Sequence, residues 1–188
     1  KQRNIEGNIL LNGQQNEHYD LLITDRLSMF SVTFQPNGLS HFLKIPINEL
    51  QNQTVALDSI DKVLTSHLEE DLTEAITFKK RVEIVDLFFT SLLNKHFISV
   101  DQQRMKQSIE LINTTRGNIT VDVLASNACL SRKQFERIFS AHIGISTKQF
   151  LKIVRFQHAI FINQNAVAKN LTDLAYEAGY YDQSHFTK

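Results

Sequence analysis

The chain has 188 residues, 42% of them hydrophobic, and its 20 basic side chains balance 20 acidic ones, which is enough apolar surface for one large domain or two small ones. No apolar run approaches the roughly 20 residues of a membrane span, residues 1–30 lack a signal-peptide pattern, and a single cysteine, Cys129, allows no internal disulfide. The expectation is a soluble protein of the reducing cytoplasm with no membrane partner.

The hydrophobic pattern begins strand-like. Ile9-Leu10-Leu11 precede Asn12-Gly13, Leu21-Leu22-Ile23 form a second short run, and Phe30, Val32 and Phe34 alternate with Ser31 and Thr33 before Pro36-Asn37-Gly38. These runs predict antiparallel strands in a partial β-rich segment over residues 1–56. From Asp58 onward the period becomes helical. Ile60, Val63, Leu64, His67 and Leu68 form one stripe, and Val82, Val85, Phe88, Phe89, Leu92 and Leu93 another, which predicts amphipathic helices over about 58–72 and 78–96. Residues 57–100 thus read as a helical connector, or as dimerisation helices.

A boundary near residue 100 is marked by charge. Residues 1–100 hold 9 basic and 13 acidic side chains, giving −4, whereas residues 101–188 hold 11 and 7, giving +4. The positive balance that suits phosphate lies in the C-terminal part.

That part contains one helix-turn-helix pattern twice, about fifty residues apart. The first runs from Ile119 to Ala125, turns at Cys129-Leu130-Ser131 and continues from Arg132 to Phe139; the second runs from Leu171 to Ala175, turns at Gly179-Tyr180-Tyr181-Asp182 and continues from Gln183 to Lys188. Ser131 and Gln134 have capping-box spacing, so the helix after the first turn starts at Arg132. Phe135, Ile138 and Phe139 fall on its inner face and leave Arg132, Lys133, Glu136 and Arg137 to reach DNA. In the second motif Asp182 is the cap and Phe186 the inward residue, with Gln183, Ser184, His185 and Lys188 exposed. Thr147 to about Asn163 predicts one long helix between the motifs. At 1.5 Å per residue it spans roughly 25 Å, enough to hold two reading helices in successive major-groove segments.

The run from Ile109 to Lys188 resembles the DNA-binding domain of AraC/XylS-type transcription regulators. The matching residues include Leu124-Ala125, Ser131, Phe135, Phe139, Gly144, Phe150-Leu151, Arg155, Ala159, Asp173-Leu174-Ala175, Gly179-Tyr180, Asp182 and Phe186. The resemblance implies seven helices and base readout at positions that correspond to Lys133, Glu136, Arg137, Gln183, Ser184 and His185. Lys148 is assigned to the phosphate backbone. Cys129 stands where the family often has Gly, in a left-handed turn, with its sulfur expected in the core. Arg155 has two readings, a phosphate contact or a buried structural ion pair, and its place between Ile153-Val154 and Phe156 favours the ion pair. The family's last recognition helix normally continues with another Phe and a further helix; with no Met at its start either, the chain reads as a fragment with an incomplete second reading head. Residues 34–46 and the helices after them resemble, more distantly, the regulatory halves that precede this domain.

The fold class expected is therefore α+β: a partial antiparallel β segment, a helical connector, and an all-α double helix-turn-helix domain over 101–188. The implied partner is double-stranded promoter DNA, with a second copy of the chain, a small-molecule effector and RNA polymerase as further candidates, in a bacterial cytoplasm at the nucleoid. No cofactor or metal is expected: His18, His41, His67, His96, His142, His158 and His185 show no i, i+4 pair and no Cys partner. No Ser/His/Asp set or glycine-rich phosphate loop points to an enzyme. The alternative is a scaffold that binds a protein through helices 58–96 while its DNA-binding half is inactive.

Overall fold

The computed structural model describes residues 9–16, 28–94, 97–165 and 170–180. It is α+β, with seven α-helices and one two-stranded sheet among the described residues. Two compact units are present, one of residues 1–99 with 141–144, the other of residues 100–140 with 145–188.

In the first unit β1 (Leu10–Asn12) pairs antiparallel with β2 (Thr54–Ala56), Leu11 opposite Val55. Leu11 and Val55 lie against a core of Leu43, Ile47 and Leu50, the last two from a short 3-10 turn. At the end of β1 the backbone of Gly13 lies directly on the Leu50 carbonyl, where a Cβ would collide.

The strand expected at residues 30–34 is not there; the backbone is irregular. A strand needs a partner for its backbone groups, and no described segment supplies one. Phe30 and Phe34 instead make aromatic contacts, Phe30 in a pair edge-on to Phe78 at 5.4 Å and Phe34 in a separate group edge-on to Phe89 at 5.2 Å. Phe42 closes that group at 4.7 Å from Phe89. Residues 21–23, the other expected strand, lie outside the described residues.

Helices α1 (Lys62–Glu74) and α2 (Phe78–Leu93) form the expected amphipathic pair and pack on each other. Thr77 caps α2 by accepting from the Lys80 amide at 3.2 Å, and Arg81 Nε donates to the Ala75 carbonyl at 3.0 Å across the connection. Leu68, Ala75 and Val85 are buried, but His67, placed on the inner stripe by its spacing, is exposed.

The second unit comprises α3 (Val100–Thr114), α4 (Val121–Asn127), α5 (Arg132–Ile143, its last residues grouped with the first unit), α6 (Thr147–Gln164) and α7 (Leu171–Glu177). Met105 and Ile112 of α3, Leu124 of α4 and Phe135 and Phe139 of α5 are wholly buried. Helix α6 packs on α3, and at its far end Ala159 and Ile162 form a cluster with Leu174, Ala175, Ala178 and Tyr180.

Candidate nucleic-acid interface

The first helix and the turn of the two repeats are built alike, down to individual hydrogen bonds. A side-chain oxygen caps the first helix of each: Thr120 accepts from the Val123 amide at 3.3 Å, and Asn170 from the Asp173 amide at 2.9 Å. Each helix ends in the same Schellman turn, in which a left-handed residue lets two amides reach back to orphan carbonyls. In the first, Cys129 N donates to Ser126 O and Leu130 N to Ala125 O, both at 3.0 Å. In the second, Gly179 N donates to Tyr176 O at 3.0 Å and Tyr180 N to Ala175 O at 2.9 Å. Ala125 and Ala175 are both buried, as a close helix approach requires.

After the first turn, Ser131 starts α5 through a reciprocal cap. The Gln134 amide donates to Ser131 Oγ at 3.3 Å and the Ser131 amide donates to Gln134 Oε1 at 3.1 Å. Phe139 anchors the helix, with Phe135 on one side and Phe150 of α6 on the other, each at 5.6 Å between ring centres. The inner face being fixed, positions 132, 133, 136 and 137 form one outward band at the helix's positive end. Arg132, Lys133 and Arg137 are exposed and Glu136 is half-buried. Arg132 is engaged, its Nη1 3.1 Å from Asp122 Oδ2 on α4 and its Nε 3.7 Å from Glu136 Oε1. Lys133 and Arg137 form no ion pair among the described residues, so their charges face solvent.

Lys148 is exposed on another helix, in the first turn of α6. Its helix opens with a second capping box, Ser146 with Gln149, of the same spacing and the same 3.3 and 3.1 Å bonds as Ser131 with Gln134. That cap was readable from Ser146-x-x-Gln149 and was not expected above. The Asp122 contact was not readable, since ten residues and a turn separate it from Arg132. Gln183, Ser184, His185 and Lys188, with Asp182 and Phe186, lie outside the described residues.

Two expectations are corrected. Cys129 does take left-handed backbone, at φ 54°, but its thiol is exposed and not in the core. Arg155 forms no ion pair among the described residues. Its guanidinium lies over the Tyr180 ring, 5.4 Å from the centre, and there the charge meets the face of an aromatic quadrupole. Burial raises the Tyr180 hydroxyl above its ordinary pKa, with Arg155 pulling the other way.

His158 on α6 is held below the ordinary histidine value, first by burial, then by the Arg116 guanidinium, with Glu177 opposing. Among the described residues no group of three His, Cys, Asp or Glu is placed to hold a metal ion, and no helix is long and apolar enough to cross a membrane.

Residues 124–188 match a family described as a helix-turn-helix domain, and the residues and caps above place that match on α4, α5, α6 and α7. The C-terminal part of the chain is a helix-turn-helix domain. Residues 1–56 match a domain of unknown function, DUF6597. An uncharacterized HTH-type transcriptional regulator of Haemophilus influenzae is 33% identical over 92 residues, covering 49% of this chain and 30% of that protein. The lactose operon transcription activator of Staphylococcus xylosus is 24% identical over 94 residues, 48% of this chain and 33% of that protein. The chain thus spans about a third of the length of these curated relatives. No solved structure matches.

Proposed function

We propose that the chain is a sequence-specific, DNA-binding transcription regulator of the AraC/XylS type that reads double-stranded promoter DNA with two recognition helices in adjacent major-groove segments. The observation that carries this is the outward band of α5, where Lys133 and Arg137 form no ion pair among the described residues, on a helix capped at one end and anchored by buried Phe135 and Phe139. Lys133, Glu136 and Arg137 are the base-reading set of the first helix and Gln183, Ser184 and His185 that of the second, with Arg132 and Lys188 beside them on the DNA-facing side. Lys148 holds phosphate. Residues 1–56 act as the regulatory segment, 57–100 as connector and 101–188 as the DNA-binding domain, in the cytoplasm at the bacterial nucleoid. An effector on the first segment and RNA polymerase at the promoter complete the regulatory scheme, with no catalytic step.

Selection of bound duplexes from a random library, followed by gel shift, tests the reading directly. Arg137→Ala should weaken binding to the selected site by about 1 to 3 kcal/mol and relax selectivity at one base pair, whereas Lys148→Ala should weaken all duplexes alike. Equal losses on selected and random duplexes for both variants would sink the assignment.

An open groove of about 560 Å³ between α1 and α2, lined by Leu68, Ile84, Leu87 and Phe88 among others, favours a second role for these helices, pairing with another copy of the chain. Leu87, 72% exposed, is the residue to change. Leu87→Glu should convert a dimer to a monomer in sedimentation velocity, and a monomeric unsubstituted chain would remove this role.

A further inference from the structure

The turn that leads from α3 into the first helix-turn-helix motif also touches the second. It begins with two residues in left-handed backbone, Arg116 at φ 55° and Gly117 at φ 78°. They close α3 through bonds from Arg116 N to Asn113 O at 3.0 Å and from Gly117 N to Ile112 O at 2.8 Å. Gly117 is buried against α6: a Cβ there would stand 2.8 Å from Arg155 Cγ and 2.8 Å from the Leu151 carbonyl oxygen. The Arg155 side chain pressed by this glycine is the one whose guanidinium ends on the Tyr180 ring, and Tyr180 belongs to the buried cluster that holds α7 to α6.

The following residue, Asn118, makes a second and more direct link. Its side-chain amide lies over Gly179, the left-handed residue of the α7 turn, where a Cβ would collide with it. The duplication supplies an internal control. Cys129 occupies the same position of the first motif in the same Schellman turn, at φ 54°, and carries a side chain there. The conformation alone therefore does not demand glycine at this point of the motif. At Gly179, what also excludes a side chain is Asn118.

We infer that Asn118 is a positioning residue that, seated on Gly179, fixes the second helix-turn-helix motif relative to the first and thereby sets the spacing of the DNA segments the chain accepts. The spacing half of this inference rests on the two-headed reading proposed above; the coupling half does not. Asn118 is exposed and lies outside every helix, so replacing it leaves the buried core intact. Its effect is on where the second motif sits, not on which bases α5 reads.

The test uses the full chain in two arms. In the first, without DNA, hydrogen exchange is followed across residues 171–180 and 121–139 for the unsubstituted chain, Asn118→Gly, Gly179→Ala and the double variant. Asn118→Gly should speed exchange in 171–180 by about tenfold and leave 121–139 unchanged. Gly179→Ala should cost protection in the parent and much less in the Asn118→Gly background, the non-additivity that contacting residues show. Unchanged exchange in Asn118→Gly, or strictly additive effects in the double variant, overturns the coupling. Asn118→Ser, which shortens the wedge without adding backbone freedom, must also speed exchange in 171–180; if it leaves exchange unchanged, added glycine flexibility explains the first result and the coupling is again overturned.

In the second arm, a duplex selected by the unsubstituted chain is lengthened by one base pair between its two contacted segments. The unsubstituted chain should lose about tenfold or more in affinity, and Asn118→Gly about threefold or less. Equal losses overturn the spacing role. If exchange responds as expected but selection yields a site with one contacted segment, the two-headed reading and the spacing role both fail, while the coupling of the motifs stands.

Discussion

Cys129 shows what one backbone angle costs. A side chain in left-handed backbone is disfavoured by roughly 1 to 2 kcal/mol relative to glycine, part of which glycine's freedom in the unfolded chain returns. Because its thiol is exposed and packs no core, nothing in the interior is lost when it goes. Cys129→Gly should therefore raise stability by about 0.5 to 1 kcal/mol, read as a higher urea midpoint at unchanged slope. A lower midpoint would mean that the thiol makes a contact worth more than the strain. The spacing of the motif placed Cys129 in a turn correctly, yet a turn residue's exposure depends on which way the neighbouring helices carry it.

Arg132 belongs to the same scale. Its pairs with Asp122 and Glu136 are exposed on both sides, so they contribute at most about 1 kcal/mol to folding. Their larger consequence is electrostatic, because Asp122 holds a guanidinium that could otherwise meet phosphate. Asp122→Asn should strengthen binding to all duplexes alike and steepen the salt dependence by up to about one counterion. An unchanged salt slope would show that Arg132 stays away from the backbone even when released.

The histidines give a pH dependence with a definite sign. Burial lowers the folded value of His41, and burial with Arg116 lowers that of His158, below the ordinary 6.5. A histidine lowered in the folded state binds its proton more readily when unfolded. The stability it confers is complete above the unfolded value and is lost as pH falls from about 6.5 through the lower folded values. Thermal midpoints should drop between pH 7 and pH 5, less so in His158→Gln; equal drops would remove His158 from the account.

At the scale of elements, the helices and strand β1 were legible, and strand β2 was not. The boundaries of α5 and α6 follow from Ser131 and Ser146 with glutamine three residues on, an arrangement that satisfies orphan amides locally and so needs no tertiary information. Ser146→Ala should cost about 1 kcal/mol by loss of that cap, measured by denaturant unfolding, with Ser146→Asp retaining most of it; equal losses in both would mean the cap is not the cause. Strand β2, by contrast, is the three residues Thr54-Val55-Ala56, whose alternation is too short to read. It exists because β1, more than forty residues earlier, pairs with it. Phe30 to Phe34 have the better strand pattern, and their phenylalanines are drawn into contacts with Phe78, Phe42 and Phe89.

For the whole molecule, the charge split of −4 and +4 about residue 100 and the change of hydrophobic period were both readable in the chain. We propose on this basis that residues 100–188 fold by themselves and bind the selected duplex, whereas residues 1–99 do not bind it. Circular dichroism and gel shift of the two halves check this. A helical but non-binding C-terminal half would place part of the interface in the other half.

What the sequence by itself determined is everything set by interactions a few residues apart: the caps, the duplicated turns, the inward phenylalanines of α5 and its outward Arg132, Lys133, Glu136 and Arg137. Those are properties of a single helix and its ends, and the helical period reports them. Tertiary structure alone decided that Arg132 meets Asp122, that Arg155 lies on Tyr180 without an ion pair among the described residues, and that Asn118 lies on Gly179. These partners are ten, twenty-five and sixty-one residues apart. No local periodicity encodes such pairs, because they come together only once separate helices have packed, α4 with α5 for the first pair and α6, α7 and the turn after α3 for the others, and packing is a property of surfaces distributed over the whole chain.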